Sequence, residues 1–317
     1  MSLTAWLDIL QSPQDGAPLV ATLDTPLAAA LGAGGHGLRR ANGDPVGADE
    51  NIVRLVWPAR SEGRDATWNR FYDRLAPFYD WNERLGGRLF GVHALRERAA
   101  IVNHLGLRPG MRVLEVSPGP GVYQELLAER IGPSGSLAEL DLSIGMLRAC
   151  ARRARKNGLD PLLVQANAAY LPFADDSFDA VFHFGGVKLF SEPQRALAEF
   201  VRVARPGAVV AWGDEGFGAG APTGFRRRLL ERINPGFLEP LPPLPDGLEG
   251  DGPEAGNTGA SVSAAGASVG GASVGGAAVH EIMNGCAWLI VARKAAGVSA
   301  TSATAKAFGH GGRAASE

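Results

Sequence analysis

The feature that most limits the fold of this chain is a strand-like run that breaks into a glycine turn. Residues 111–116 (MRVLEV) are a short, largely apolar run. They lead directly into Ser117-Pro118-Gly119-Pro120-Gly121 and then into a helical pattern over 123–130. A buried strand, a tight turn and a helix in that order form the first half of a parallel βαβ unit. The alternation continues with strand-like runs at 136–140, 162–165, 177–184 and 208–212. Helical patterns fill 144–157 and 194–204, the latter with Leu197, Phe200, Val201 and Ala204 on one face and Arg205-Pro206-Gly207 as its stop. Strands and helices alternating at this pitch imply right-handed crossovers and a parallel sheet covered on both faces. The expected fold is therefore α/β, doubly wound and Rossmann-like.

Composition divides the rest. Gly 43 and Pro 21 in 317 residues exceed ordinary usage, so part of the chain is loop or low complexity. Residues 246–276 are nearly all Gly, Ala, Ser, Val, Asp, Glu and Pro, and read as a flexible insertion. Beyond it, runs at 277–283 and 286–293 flank Asn284-Gly285, a strong hairpin signal because both turn residues need positive φ. The tail, 295–317, is expected to be disordered. Upstream, 65–108 reads as a helical lead-in rich in aromatics, and 1–60 as a small separate segment. The formal net charge of -2 makes a nucleic-acid partner unexpected. The two cysteines, Cys150 and Cys286, support neither a disulfide framework nor a four-cysteine metal site, and no metal is expected. No apolar run reaches membrane-spanning length, and a cytoplasmic location is expected.

The chemistry concentrates at the turn. Glu115 ends the first strand, Gly119 and Gly121 allow a ligand close to the backbone, and Asp141 follows Gly121 by twenty residues at the tip of the second strand. An acid there is placed to bind ribose hydroxyls. A carboxylate at Glu115 suits a ligand with a cationic amino group better than a pyrophosphate.

The segment Glu115-Val-Ser-Pro-Gly119-Pro-Gly121 resembles the first motif, E/D-x-G-x-G-x-G, of the class I S-adenosylmethionine-dependent methyltransferases. Gln165-Ala-Asn167-Ala-Ala-Tyr170-Leu-Pro-Phe173-Ala-Asp-Asp-Ser-Phe178-Asp179 is similar to their D-A-x-x-L-P-F-x-D-x-S-F-D segment. Arg202-Val-Ala-Arg-Pro206-Gly207 is similar to R-V-L-K-P-G. Tyr72-Asp73-Arg-Leu75-Ala76-Pro77-Phe-Tyr79-Asp80 resembles the lead-in of the ubiquinone/menaquinone-type (type 11) branch. The resemblance implies a mostly parallel seven-stranded sheet with a C-terminal β-hairpin, in a domain made of 109–245 and 277–294.

The resemblance also implies S-adenosylmethionine as cofactor, with Glu115, Ser117, Gly119 and Gly121 around its methionine part. It places Asp141 and Leu142 at the ribose, Ile144 and Met146 beside the adenine, and Asn167 and Ala168 on the adenine edge. His183, Gly185 and Tyr72 would line the acceptor side, with His183 also touching the cofactor; Asp214 and Glu215 are further acceptor candidates. Ser117 stands where the family has glycine, and Asn167 where it has aspartate. The reading is methyl transfer to a small-molecule acceptor by in-line displacement. An RNA or protein methyltransferase, and a relative that only binds the cofactor, are the alternatives. Leu7-Asp-Ile-Leu10-Gln-Ser12-Pro13-Gln-Asp15-Gly-Ala-Pro18-Leu19 is similar to the start of small zinc ribbons, with Ser12 and Asp15 in place of two cysteines. That resemblance implies a metal-free remnant.

Overall fold

The structure is a computed structural model. It describes residues 4–21, 38–59, 62–76, 94–233, 238–239, 241–249, 273–274 and 277–296. The expectations for 250–272, for the tail from 297 and for Pro77 to Asp80 lie outside the described residues.

Five parallel strands form the centre: β5 (Arg112–Val116), β6 (Ser136–Asp141), β7 (Leu162–Gln165), β8 (Phe178–Phe184) and β9 (Ala204–Glu215). They lie in the order β9-β8-β5-β6-β7. The chain runs outward through β5, β6 and β7, then restarts on the other side with β8, so β5 and β8 flank the point where strand order reverses. Each central strand is buried on both faces, as expected where helices cover a parallel sheet. The covering helices are α3 (Ala94–His104), α4 (Gln124–Ile131), α5 (Ile144–Lys156) and α6 (Pro193–Val203). Ser143 caps α5 by accepting the Met146 N–H, and three basic residues in its last turn oppose the helix dipole. Pro193 opens α6 at a position where its missing N–H has no consequence.

The expected hairpin is present as β12 (Ala277–Ile282) and β13 (Ala287–Lys294), with β13 antiparallel to β9. Strands β7-β6-β5-β8-β9-β13-β12 are thus the seven the resemblance implies. The hairpin loop is longer than a two-residue Asn-Gly turn, because Ile282 pairs with Ala287 and four residues bridge them. Met283, Asn284 and Gly285 all have positive φ. The loop is clamped from outside: Gly218 donates to the Gly285 carbonyl (2.8 Å), Gly216 to that of Cys286 (3.1 Å), and the Glu281 carboxylate accepts the Ala219 and Gly220 N–H groups.

Two expectations are corrected. Residues 205–207 do not separate helix from strand, because β9 begins at Ala204, which already pairs with Phe178. The register then shifts, and Arg205, Pro206 and Gly207 bulge outward before Val209 pairs with Ala180. A proline without an N–H fits such a bulge.

The second correction concerns 1–60, which does not stand apart. Among the described residues the sheet has eleven strands. β4 (Ile52–Arg54) runs parallel to β7, and β3 (Gly47–Asp49) covers β4. Short β10 (Leu248–Glu249) and β11 (Ser273–Val274) pair with β13 and β12, while β1 (Val20–Ala21) and β2 (Leu38–Arg39) form a small sheet of their own. Trp6 in α1 (Thr4–Leu7), with Ile9 and Leu10, is buried in the same core as Phe173 and Phe178. Backbone bonds Gln11 N–H to Pro172 O (3.1 Å) and Ala174 N–H to Ile9 O (2.7 Å) stitch the two together. The Ser12–Ala17 turn closes by hydrogen bonds, Ser12 N–H to Ala17 O and Gly16 N–H to Ser12 O.

Candidate functional site

A cavity of about 410 Å³ opens at the carboxyl ends of β5, β6, β8 and β9. This is where open α/β sheets bind ligands, beside the reversal of strand order. Its volume is in the range of small-molecule sites.

One wall is the turn after β5. Ser117 adopts φ +55°, a left-handed conformation that disfavours side chains, and its N–H donates to Leu140 O at 2.6 Å. Serine thus takes up, in place of the glycine of the resemblance, a backbone conformation that glycine adopts more readily. Gly119 (φ +56°) lines the cavity, and a Cβ there would meet open space. Gly121 does not line it. A Cβ at Gly121 would lie 3.0 Å from Cys150 Sγ, so this glycine serves the packing of the turn on α5.

The floor carries carboxyl groups. Asp141 accepts the Ser143 N–H (2.9 Å) and the Gly119 N–H (3.3 Å), joining the turns after β5 and β6. Burial pushes its carboxyl up to about 7, with the Asp73 charge adding to the effect and the two N–H bonds opposing it. Glu115 lines the cavity from β5, is buried, and has no N–H or hydroxyl donor on Oε2 among the described residues. Leu142 and Met146 supply apolar surface beside Asp141, whereas Ile144 does not reach the cavity.

The opposite wall is α2 (Gly63–Leu75), which contributes Asp65, Trp68, Asn69, Phe71 and Tyr72. No residue of α2 is buried, so polar anchors hold it. Asp65 accepts the Ser191 N–H (2.8 Å) and the Asn167 Nδ2–H (3.1 Å). Asp73 accepts the Ser143 hydroxyl (2.5 Å) and the Gly145 N–H (2.9 Å) at the start of α5. Trp68, Phe71 and Tyr72 pack ring to ring at 5.4–5.9 Å as an aromatic face.

The far end is formed by Phe184, Gly185, Gly186, Lys188, Leu189, Phe190, Asp214 and Glu215. Asp214 accepts the Gly186, Lys188 and Glu215 N–H groups at 2.9–3.2 Å. Burial raises its carboxyl, but the hydrogen bond to Glu215 and the Lys188 charge outweigh burial and hold it below the usual range. Glu215 is pushed up to about 8 by burial and by the bond and charge of Asp214. A carboxylate and a neutral carboxyl therefore sit side by side at neutral pH.

Of the residues expected from sequence, Tyr72, Glu115, Ser117, Gly119, Asp141, Leu142, Met146, Gly185, Asp214 and Glu215 meet in this cavity. Gly121, Asn167, Ala168 and His183 do not line it. Asn167 has both ends of its amide engaged: Oδ1 accepts the Ala169 N–H (2.9 Å), and Nδ2 donates to Asp65. Asp65 takes the place at the cavity wall. His183 is fully buried beneath the site, between Phe190 and Phe200, with Nδ1 2.9 Å from Val116 O. Burial lowers its pKa, so the ring is neutral. Side chains alternate along β8, and Phe184 faces the cavity instead. Asp65, Trp68 and Lys188 were missed because the resemblance placed only Tyr72 of this helix at the site, and no local pattern marks a 3₁₀ turn as a cavity wall.

Residues 114–212 match the family model of a methyltransferase domain. A demethylmenaquinone methyltransferase of Renibacterium salmoninarum is 38% identical over 136 residues, 43% of this chain and 53% of that protein. A ubiquinone/menaquinone biosynthesis C-methyltransferase of Pasteurella multocida is 32% identical over 151 residues, 47% of this chain and 55% of that protein. The chain thus spans about half the length of the curated relatives it matches. A solved SAM dependent methyltransferase from Aquifex aeolicus aligns at TM-score 0.41 with 20% identity, over 62% of this chain and 88% of that one.

Proposed function

Since residues 114–212 match a methyltransferase domain, we propose that this chain is a class I methyltransferase of the ubiquinone/menaquinone type, which binds S-adenosylmethionine in the cavity and methylates a small, lipophilic, hydroquinone-like acceptor. The observation that carries the reading is the convergence of Glu115, Gly119 and Asp141 on one cavity at the strand ends.

The residues fit such a cofactor. Glu115 offers a buried carboxyl oxygen lacking an N–H or hydroxyl donor among the described residues, and Gly119 leaves open space where a side chain would stand. Asp141 would take the ribose hydroxyls, with Leu142 and Met146 against the base. When bound, the cofactor supplies an already activated methyl group on a sulfonium, so the protein's task is alignment and exclusion of water. The aromatic face of α2, with Phe184, Leu189 and Phe190, suits an apolar ring. Glu215 lines the same cavity and, once ionised, would take the proton of the acceptor hydroxyl. Among the described residues no helix is long and apolar enough to cross a membrane, so such an acceptor would enter the cavity without a spanning anchor from these residues.

The test is calorimetric titration with S-adenosylmethionine and S-adenosylhomocysteine, repeated on Asp141→Ala. Micromolar binding that the variant loses supports the reading. Absence of binding to folded protein refutes it.

A further inference from the structure

Beneath the cavity lies a second carboxyl that the function proposed above does not use. Glu115 on β5 pairs in register with Glu139 on the parallel β6. In-register residues of neighbouring strands stand on the same face, with backbones about 4.8 Å apart. Both side chains are buried, Glu139 completely. Glu139 Oε2 accepts the Gln124 amide (2.6 Å) and the Cys150 thiol (3.1 Å). Glu139 Oε1 and Glu115 Oε2 lack any N–H or hydroxyl donor among the described residues. Two orphaned oxygens on neighbouring buried carboxyls are explained together if one carboxyl is protonated and bonds the other. Two adjacent carboxylates in a dry site cannot both ionise without large repulsion.

We propose that Glu115 and Glu139 share one proton in the ligand-free protein and release it to solvent when a cationic group of the cofactor docks against Glu115. Glu139, outside the cavity, is then a positioning residue that sets how strongly the site selects a cationic ligand. The ligand's positive charge replaces the proton as the neutralising partner, so no other reactant is needed. The inference rests on the cofactor reading above.

The other groups facing the pair come from every neighbouring element: Gln124 from α4, Cys150 and Arg153 from α5, Arg98 from α3 and Asp141 from β6. Burial raises the Cys150 thiol, so it remains a neutral donor to Glu139. Burial raises Glu115 well above the carboxylate range, with the Glu139 charge next; Arg98 opposes this. Burial raises Glu139 less effectively, because the Gln124, Cys150 and Glu115 bonds favour its charged form. Glu139 already accepts two donors and Glu115 Oε2 none among the described residues, so the shared proton resides mainly on Glu115.

The experiment is S-adenosylmethionine titration at pH 6, 7 and 8 in buffers of different ionisation heat, on wild type and Glu139→Gln. The amide introduced by that substitution keeps an oxygen for Gln124 and leaves Asp141 untouched. The wild type should release close to one proton per ligand at pH 7 and bind up to about tenfold tighter per pH unit. Glu139→Gln should still bind, with less than half the proton release and a flatter pH dependence. Wild-type binding with no proton release overturns this inference alone, as does a variant that keeps the full release. No binding to folded wild type overturns the cofactor reading and this inference with it. Independently of ligand, carbon-13 NMR of glutamate carboxyls should show one of the pair protonated at pH 7, and both ionised by pH 5 is the refuting result.

Discussion

Burial works against ionisation of Asp141, and Asp141→Asn should expose that opposition. Its carboxyl is raised from 3.8 to about 7 in the folded chain, chiefly by burial. An acid with a raised folded value contributes stability that is complete below the unfolded value and lost as pH rises through the folded one. Three units correspond to about 4 kcal/mol between pH 3 and pH 8. Two effects reduce what asparagine recovers. The cavity admits water, and an amide can accept from Ser143 N–H but presents its own N–H₂ towards Gly119 N, losing one bond worth about 1 kcal/mol. The net expectation is a ligand-free variant more stable than wild type by about 2 kcal/mol at pH 8, with the gain gone by pH 4. Urea unfolding of both proteins across that range measures it, and the midpoint difference at constant slope is the readout. The same variant should bind S-adenosylmethionine at least tenfold more weakly. A variant less stable than wild type at pH 8 would show that the two N–H bonds outweigh burial, and would refute the reasoning.

Four further outcomes are expected. Ser117→Gly relieves a side chain held at φ +55° and should stabilise the chain by about 1 kcal/mol in urea unfolding, with cofactor affinity kept. Gly285→Ala should cost more than about 2 kcal/mol by the same assay, because the new Cβ would overlap the Ala221 backbone nitrogen at positive φ. Asp73→Ala removes the anchor between α2 and the start of α5; calorimetry should show about tenfold weaker cofactor binding, and NMR a lowered Asp141 pKa. Glu215→Gln should slow methyl transfer to a hydroquinone by about 10²-fold, and should abolish the rise in wild-type rate as pH passes about 8.

The central strands were legible because each is an apolar run bounded by glycine, proline or a charged turn. Residues 162–165 match β7 end to end, and other central boundaries differ by a residue except in β9, which runs four residues earlier and three later than expected. That strand was misplaced because Pro206-Gly207 is a local stop signal that a neighbouring strand overrides by bulging. The entry of Ile52 and Val53 into the sheet was hidden because parallel pairing with β7 is a contact across more than a hundred residues. At the site, turn residues and strand-end acids were readable from position alone. His183 was not, because β8 is buried on both faces and its apolar pattern does not show which face meets the cavity. The exchange of Asn167 for Asp65 at the wall depends on how α2 docks, which no local pattern encodes.

The way residues 4–54 are woven into the sheet bears on how this fold can be trimmed. A chain shortened to begin near α2 would keep every residue of the cavity, yet it would strip β4 from β7 and Trp6 from Phe178. β7 would then become a naked edge whose Leu162, Leu163 and Val164 put apolar side chains on both faces, the kind of surface that recruits strands from other molecules. The N-terminal segment thus covers that edge, and a shortened protein should lose solubility before it loses the geometry of its site.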